Sequence, residues 1–324
     1  MLLEPQPGSL TVSTVAVPRP RLRRKIVLSV IGTLAATSVL ALVLAGKRAE
    51  FVTALNSAPL HLLALAAVLQ VVALVSRSEA WLVCIHSAGG TLKRRLLFRA
   101  AGLGYLASVI NGSVGMAARI TTLRRVAPDS APRVPVLLAA EVPIITVEVA
   151  LVAIFSFTLV APLGVPWWVP VIAIALMAGA IFGMRRFCEQ HQLGLWAGLA
   201  VMRKKGRMRM ITFTLLAVCA QVMRNWLMLH AIGEDVSIFD AMALLIAMFT
   251  LGQLPIGPSI GPAAAVLVLG AHGVAASAAA GVLLAVTGIV GALCYATWAL
   301  ADGFLTSRFS AGARAPVVAP APSG

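Results

Sequence analysis

The residues able to do chemistry in this chain are scarce and stand in apolar surroundings. Arg77, Glu79, Glu141, Glu148 and Arg224 each interrupt a long hydrophobic run. At the centre of a bilayer each would cost at least about 2.5 kcal/mol on insertion scales, so they are expected to face the interior of a helix bundle and to pair. Glu141 and Glu148 are seven residues apart, two helical turns, and share one face. Arg77 and Glu79 are two apart and do not face each other, so each needs a partner from another helix. An arginine's planar fork matches a phosphate in a bidentate way. The pattern therefore points to a polar interior path in which Arg77, Arg119 and Arg224, with Asn111 and Asn225, meet a lipid phosphate. Glu79, Glu141 and Glu148 would set the charge of that path or bind a coupling proton. The competing expectation is structural: Arg–Glu pairs that hold helices together, or Arg77 reaching to a nearby interface along its aliphatic stem.

Two breaks would position these groups. Leu254-Pro255-Ile256-Gly257-Pro258-Ser259-Ile260-Gly261-Pro262 places three prolines and two glycines within nine residues, between the apolar runs Phe239–Gln253 and Ala263–Gly270. Proline lacks an N–H and clashes with the preceding turn, and glycine loses the most entropy on ordering, so the stretch cannot stay helical. Unwound backbone at membrane depth is tolerated only where it is buried in protein or lines a wet cavity. A second break, Asn111-Gly112-Ser113-Val114-Gly115, follows the short apolar segment Ala100–Ile110. At both breaks, Gly112, Gly115, Pro255, Gly257, Pro258 and Gly261 are expected either to expose backbone groups and helix starts that favour an anion or to let helices approach closely.

Composition bounds the rest. Hydrophobic residues make up 60% of the 324 and charged residues 11%, and mean hydropathy is +0.96. That is the composition of a membrane protein. The formal net charge of +15 reads as cytoplasmic loops, because a nucleic-acid surface needs a basic face on a soluble module. Cys84, Cys188, Cys219 and Cys294 lack C-x-x-C spacing and read as packing residues. His61, His86, His230 and His272 are scattered without metal-ligand spacing, and no nucleophile elbow, P-loop or zincin motif is present. Neither catalysis, cofactor nor metal is expected.

In order, residues 1–25 read as a disordered basic cytoplasmic tail and residues 26–303 as a polytopic membrane domain. Residues 304–324 read as a second disordered tail. Crossings are expected at Ile26–Gly46, about Pro59–Ile85, Val134 to about Ala161, Val165–Met184, Met210–Ile232 and about Ala275–Ala301. If the two broken segments dip in and return, every strongly basic loop falls inside, Lys47 and Arg48 are the only bases outside, and the acidic 233–240 loop is outside. If they crossed, Arg119–Arg133 would fall outside. The expected fold is thus all-α: about six transmembrane helices plus two re-entrant broken helices, both termini inside. The unit of crossing, dip and crossing occurs at about 59–161 and again, oppositely oriented, at about 210–301, an inverted-repeat layout.

The breaks carry a resemblance. Asn111-Gly112-Ser113-Val114-Gly115 followed by Arg119, and Leu254-Pro255 followed by Gly257, Gly261 and Gly273-Val274, resemble the flippase-like family named for the transmembrane region of lysylphosphatidylglycerol synthase. The resemblance covers about residues 25–302 and implies movement of lipids between leaflets, or handling of lipid-linked glycans or modified phospholipids, in a bacterial-type inner membrane. Met116 stands where that family often carries an acid, and Pro262, Ala263 and Ala264 where it often carries a charged pair. The synthase domain is absent from this sequence, so its activity is not implied. The expected partners are membrane lipids, with anionic headgroups at the cytoplasmic basic loops. The alternative function is a non-transporting accessory of a lipid or cell-envelope enzyme.

Overall fold

The computed structural model describes residues 31–32, 34–35, 37–39, 41–42, 44–109, 112–128, 130–190, 201, 206–233, 235–252, 259–270 and 273–312. Among them the secondary structure is helical throughout, with no strand. The elements that matter here are α1 (Arg48–Ser57), α2 (Leu60–Ser87), α3 (Arg94–Ser108), α4 (Gly112–Val126), α5 (Val134–Ala139) and α6 (Val142–Phe155). They continue with α7 (Trp168–Gln190), α8 (Gly206–Ala231), α9 (Ile238–Leu251), α10 (Ile260–Leu269) and α11 (Val274–Gly312).

Four stretches are long and apolar enough to cross a membrane: Leu60–Ser87, Val134–Leu159, Gly206–Ala231 and Val274–Ala301. This is an all-α, membrane-like fold. Trp168–Met184 is a shorter apolar helix, and the expected first crossing at Ile26–Gly46 lies partly outside the described residues. The Val134–Leu159 stretch is interrupted by a turn at Ala140–Glu141, because Pro143 removes an N–H and its ring conflicts with the carbonyl one turn earlier. The last helix continues to Gly312, beyond residue 304 where a tail was expected; no proline occurs between 274 and 312 to stop it.

Side chains collect into two apolar cores. One gathers the C-terminal half of α2, with α3, α4, Leu137, Ile144 and Tyr295. The other gathers the C-terminal half of α8, with α9, α10 and the N-terminal half of α11. Helices α2, α8 and α11 run between the two, and α2 lies along α8.

Glycine sets the closest approaches. The α3–α4 hairpin is antiparallel: a Cβ on Gly115 would stand 2.5 Å from Ser108 Cβ and 2.7 Å from Gly104 O. A Cβ on Gly104 would meet Arg119 Cβ at 2.7 Å. Between α10 and α11, a Cβ on Gly281 would stand 2.4 Å from Pro262 Cα, and one on Gly261 would stand 2.6 Å from Gly281 O. Of the two uses expected for Gly115 and Gly261, close packing is therefore the one seen at both; Gly115 also borders the cavity described below. Because the opposing atoms are largely backbone, a methyl group there forces two helices apart. Gly115→Ala and Gly281→Ala should each destabilise the protein by about 1–3 kcal/mol. Gly179→Ala, where nothing lies within 4 Å, should stabilise by about 0.4–1 kcal/mol through helix propensity and a less disordered unfolded chain. Unfolding of the purified variants in detergent measures both.

Candidate functional site

A cavity of about 430 Å³ opens where the two cores meet. Leu74 and Arg77 of α2, Tyr105 of α3, Gly115, Met116 and Arg119 of α4, Glu141, and Glu148 of α6 line one side. Gln221 of α8 and Met242, Leu245, Met248 and Phe249 of α9 line the other. The volume falls in the roughly 300–1,000 Å³ range of small-molecule sites. The chamber is two-faced: four charged side chains and a tyrosine against a wall of methionine, leucine and phenylalanine.

The charges are arranged by helix. Both acids belong to one wall, Glu141 as the residue just before α6 and Glu148 two turns on. Both bases come from other helices, Arg77 from α2 and Arg119 from α4. Arg77 grips Glu148 with both fork nitrogens, Nη1 at 3.0 Å from Oε1 and Nη2 donating to Oε2 at 3.1 Å. Arg119 pairs with Glu141 through Nη2 and Oε1. The second pair is the deeper: the Arg119 and Glu141 side chains are 7% and 3% exposed, against 39% and 10% for Arg77 and Glu148. The Arg119 guanidinium also lies 4.0 Å over the ring of Trp81, which is fully buried. A cation over an indole is attracted by its negative face, and more strongly where water is excluded. Trp81 thus fixes the guanidinium in the orientation that meets Glu141.

A neutral network stands behind these pairs. Ser78 Oγ donates to Leu74 O at 2.8 Å and lies 2.9 Å from Tyr295 Oη and 3.3 Å from Tyr105 Oη. Tyr105 Oη also donates to Leu74 O at 3.3 Å. The chain has only two tyrosines, and both join this network, their rings edge to face at 5.6 Å. Sequence reasoning passed over them. The signal was available: a phenol in a hydrophobic segment needs a hydrogen-bond partner.

Of the residues singled out from the sequence, Arg77, Arg119, Glu141, Glu148, Gly112 and Gly115 converge on the cavity. The other three expected polar site residues that are described lie elsewhere. Arg224 is buried and donates through Nη1 to Gln70 Oε1, to which Gln221 Nε2 also donates at 3.4 Å; its Nε has no hydrogen-bond partner among the described residues. Asn225, fully buried, donates through Nδ2 to Ala241 O at 3.5 Å and ties α8 to α9. Glu79 pairs with Arg94, whose guanidinium lies 5.2 Å over Phe98. Gly261 is occupied with α11. Asn111, Pro255, Gly257 and Pro258 lie outside the described residues. Gln70 was missed because its partner Arg224 comes from a helix distant in sequence, and Arg94 because the sequence places it in a basic loop rather than beside Glu79. Among the described residues, no group of three or more His, Cys, Asp or Glu is placed to hold a metal ion.

Among the described residues that line it, two cations stand against two anions. Such an arrangement can bind and orient a charged group. No family model matches the chain, and no curated protein matches it.

The burial difference between the two pairs has a measurable consequence. Glu141→Gln strands Arg119 in an apolar interior and should cost about 3–5 kcal/mol, whereas Glu148→Gln, which leaves a partly wetted Arg77, should cost less than half of that. Replacing both partners, Arg119→Met with Glu141→Leu, should recover most of the loss. Denaturant or thermal unfolding of the three variants tests the order.

Proposed function

We propose that this protein is a flippase-like membrane protein that moves or handles a phospholipid or a lipid-linked glycan between leaflets. The observation that carries this reading is the two-faced cavity: arginines and glutamates on one side, and on the other a wall that is apolar along α9 with Gln221 of α8 beside it. A lipid has the same two-part character. Its headgroup would exchange into the ion pairs through arginine–phosphate contacts, while its tails stay along α9 and in the bilayer.

The proposed topology is six crossings and two re-entrant hairpins in an inverted repeat, with both termini on the cytoplasmic side of a bacterial-type inner membrane. Helix lengths support it. At 1.5 Å per residue, the 15 residues of α3 and of α4 reach roughly 22 Å, short of the roughly 30 Å hydrocarbon core. The 14 residues of α9 and 10 of α10 are also too short. The basic loops then fall on the cytoplasmic face, where they meet anionic headgroups. The flippase-like family remains the proposed relationship, carried by the two glycine-rich breaks. No enzymatic activity is proposed.

One observation favours a second reading, a non-transporting accessory of a lipid or envelope enzyme. Both cavity arginines are already matched to glutamates, as expected of pairs that only hold helices together.

Reconstitution decides between them. Purified protein in liposomes with headgroup-labelled phospholipids and a membrane-impermeant quencher should equilibrate label between leaflets. Arg77→Gln and Glu148→Gln, chosen because that pair is partly exposed, should slow exchange at least about tenfold, equivalent to about 1.4 kcal/mol of barrier. Exchange no faster than in protein-free liposomes would remove the transport reading and leave the accessory one.

A further inference from the structure

We infer that the cavity selects a zwitterionic phospho-amine: a group carrying one phosphate and one N–H-bearing ammonium, on a lipid or free. This deepens the proposed function and rests on its reading of the cavity as a binding chamber. The inference comes from how the charges are distributed. The two arginines come from α2 and α4 and the two glutamates from the α6 segment, each arginine paired with one glutamate, so the chamber offers cations and anions side by side.

Consider what each class of ligand leaves behind. A purely anionic group drawn between Arg77 and Arg119 takes them from Glu148 and Glu141, stranding two buried carboxylates. A purely cationic group strands the buried Arg119 guanidinium and the partly exposed one of Arg77. Either outcome incurs the penalty of an unpaired charge in an apolar interior. A ligand bearing both signs avoids it. Its phosphate oxygens accept from the arginine forks, its ammonium hydrogens are donated to the glutamates, and every charge that was paired before binding is paired after it. A quaternary ammonium has no N–H to donate and loses the second set of bonds. Specificity of this kind comes from what a wrong ligand leaves unpaired.

The test is binding, so that it can fail separately from transport. The full chain in detergent is titrated with phosphatidylethanolamine, phosphatidylcholine, phosphatidylglycerol and a quaternary-ammonium cationic lipid, with occupancy read by native mass spectrometry. Phosphatidylethanolamine should bind at least about tenfold tighter than the other three, the scale of one charge-assisted hydrogen bond. Glu148→Gln should move the preference about tenfold toward phosphatidylglycerol. Arg77→Gln should move it as far toward the cationic lipid. These variants keep the deep Arg119–Glu141 pair, and circular dichroism confirms their folding. Phosphatidylglycerol or the cationic lipid binding tightest to the unaltered chain overturns the inference, as do two variants that change all four lipids alike. Free phosphoethanolamine, titrated separately, identifies the source. If it binds while no lipid is preferred, the charge pairing stands and the lipid falls. Leaflet exchange without the phosphatidylethanolamine preference overturns the inference and keeps the transport reading; the preference without exchange does the reverse.

Discussion

A guanidinium cannot be left alone among apolar helices, and most of the arrangement around the cavity follows from that constraint. Arg119 is nearly inaccessible, so the turn that brings Glu141 to it and the indole that lies over it are both required by the same charge. Each cavity ion pair joins two different segments: α2 to α6 through Arg77 and Glu148, and α4 to the residue just before α6 through Arg119 and Glu141. Hydrophobic burial alone is non-directional. The pairs supply the directional element that fixes how α6 sits against the bundle.

Close packing sets the distance at which those pairs can meet. Arg119 lies on the same short helix as Gly115, and its own Cβ is what a side chain at Gly104 would strike. The glycines that bring α3 against α4 therefore also determine how far the Arg119 guanidinium reaches toward Trp81 and Glu141. Small residues at a helix contact serve the charged site at one remove, by placing a backbone rather than by touching a ligand.

The all-helical, membrane-like character was legible in the sequence, because long apolar runs with few charges have little other explanation. So was part of the site. Glu141 and Glu148, spaced by two turns, do share the cavity wall, even though a turn at Ala140–Glu141 interrupts the helix before them. That Arg77 and Glu79 would need separate partners followed from a spacing of two, and they have them in Glu148 and Arg94. The identity of those partners was not legible. It depends on which helices become neighbours, and no local periodicity encodes that. Arg224 shows the same limit. Its burial was expected from the cost of a charge in lipid, but its neighbour is the amide of Gln70, which carries no charge to draw attention. The aromatic and hydroxyl network of Ser78, Tyr105 and Tyr295 links α2, α3 and α11 across 217 residues of sequence, beyond any short-range pattern.

Because both carboxylates ride on the same wall while their partners sit on two different helices, the pairs are mechanically ganged. A tilt of α6 as a rigid rod would stretch the contacts to α2 and to α4 together, whereas a shift of α2 or α4 alone would stretch only one. The first kind of displacement strains both pairs at once. The second loosens the chamber by halves.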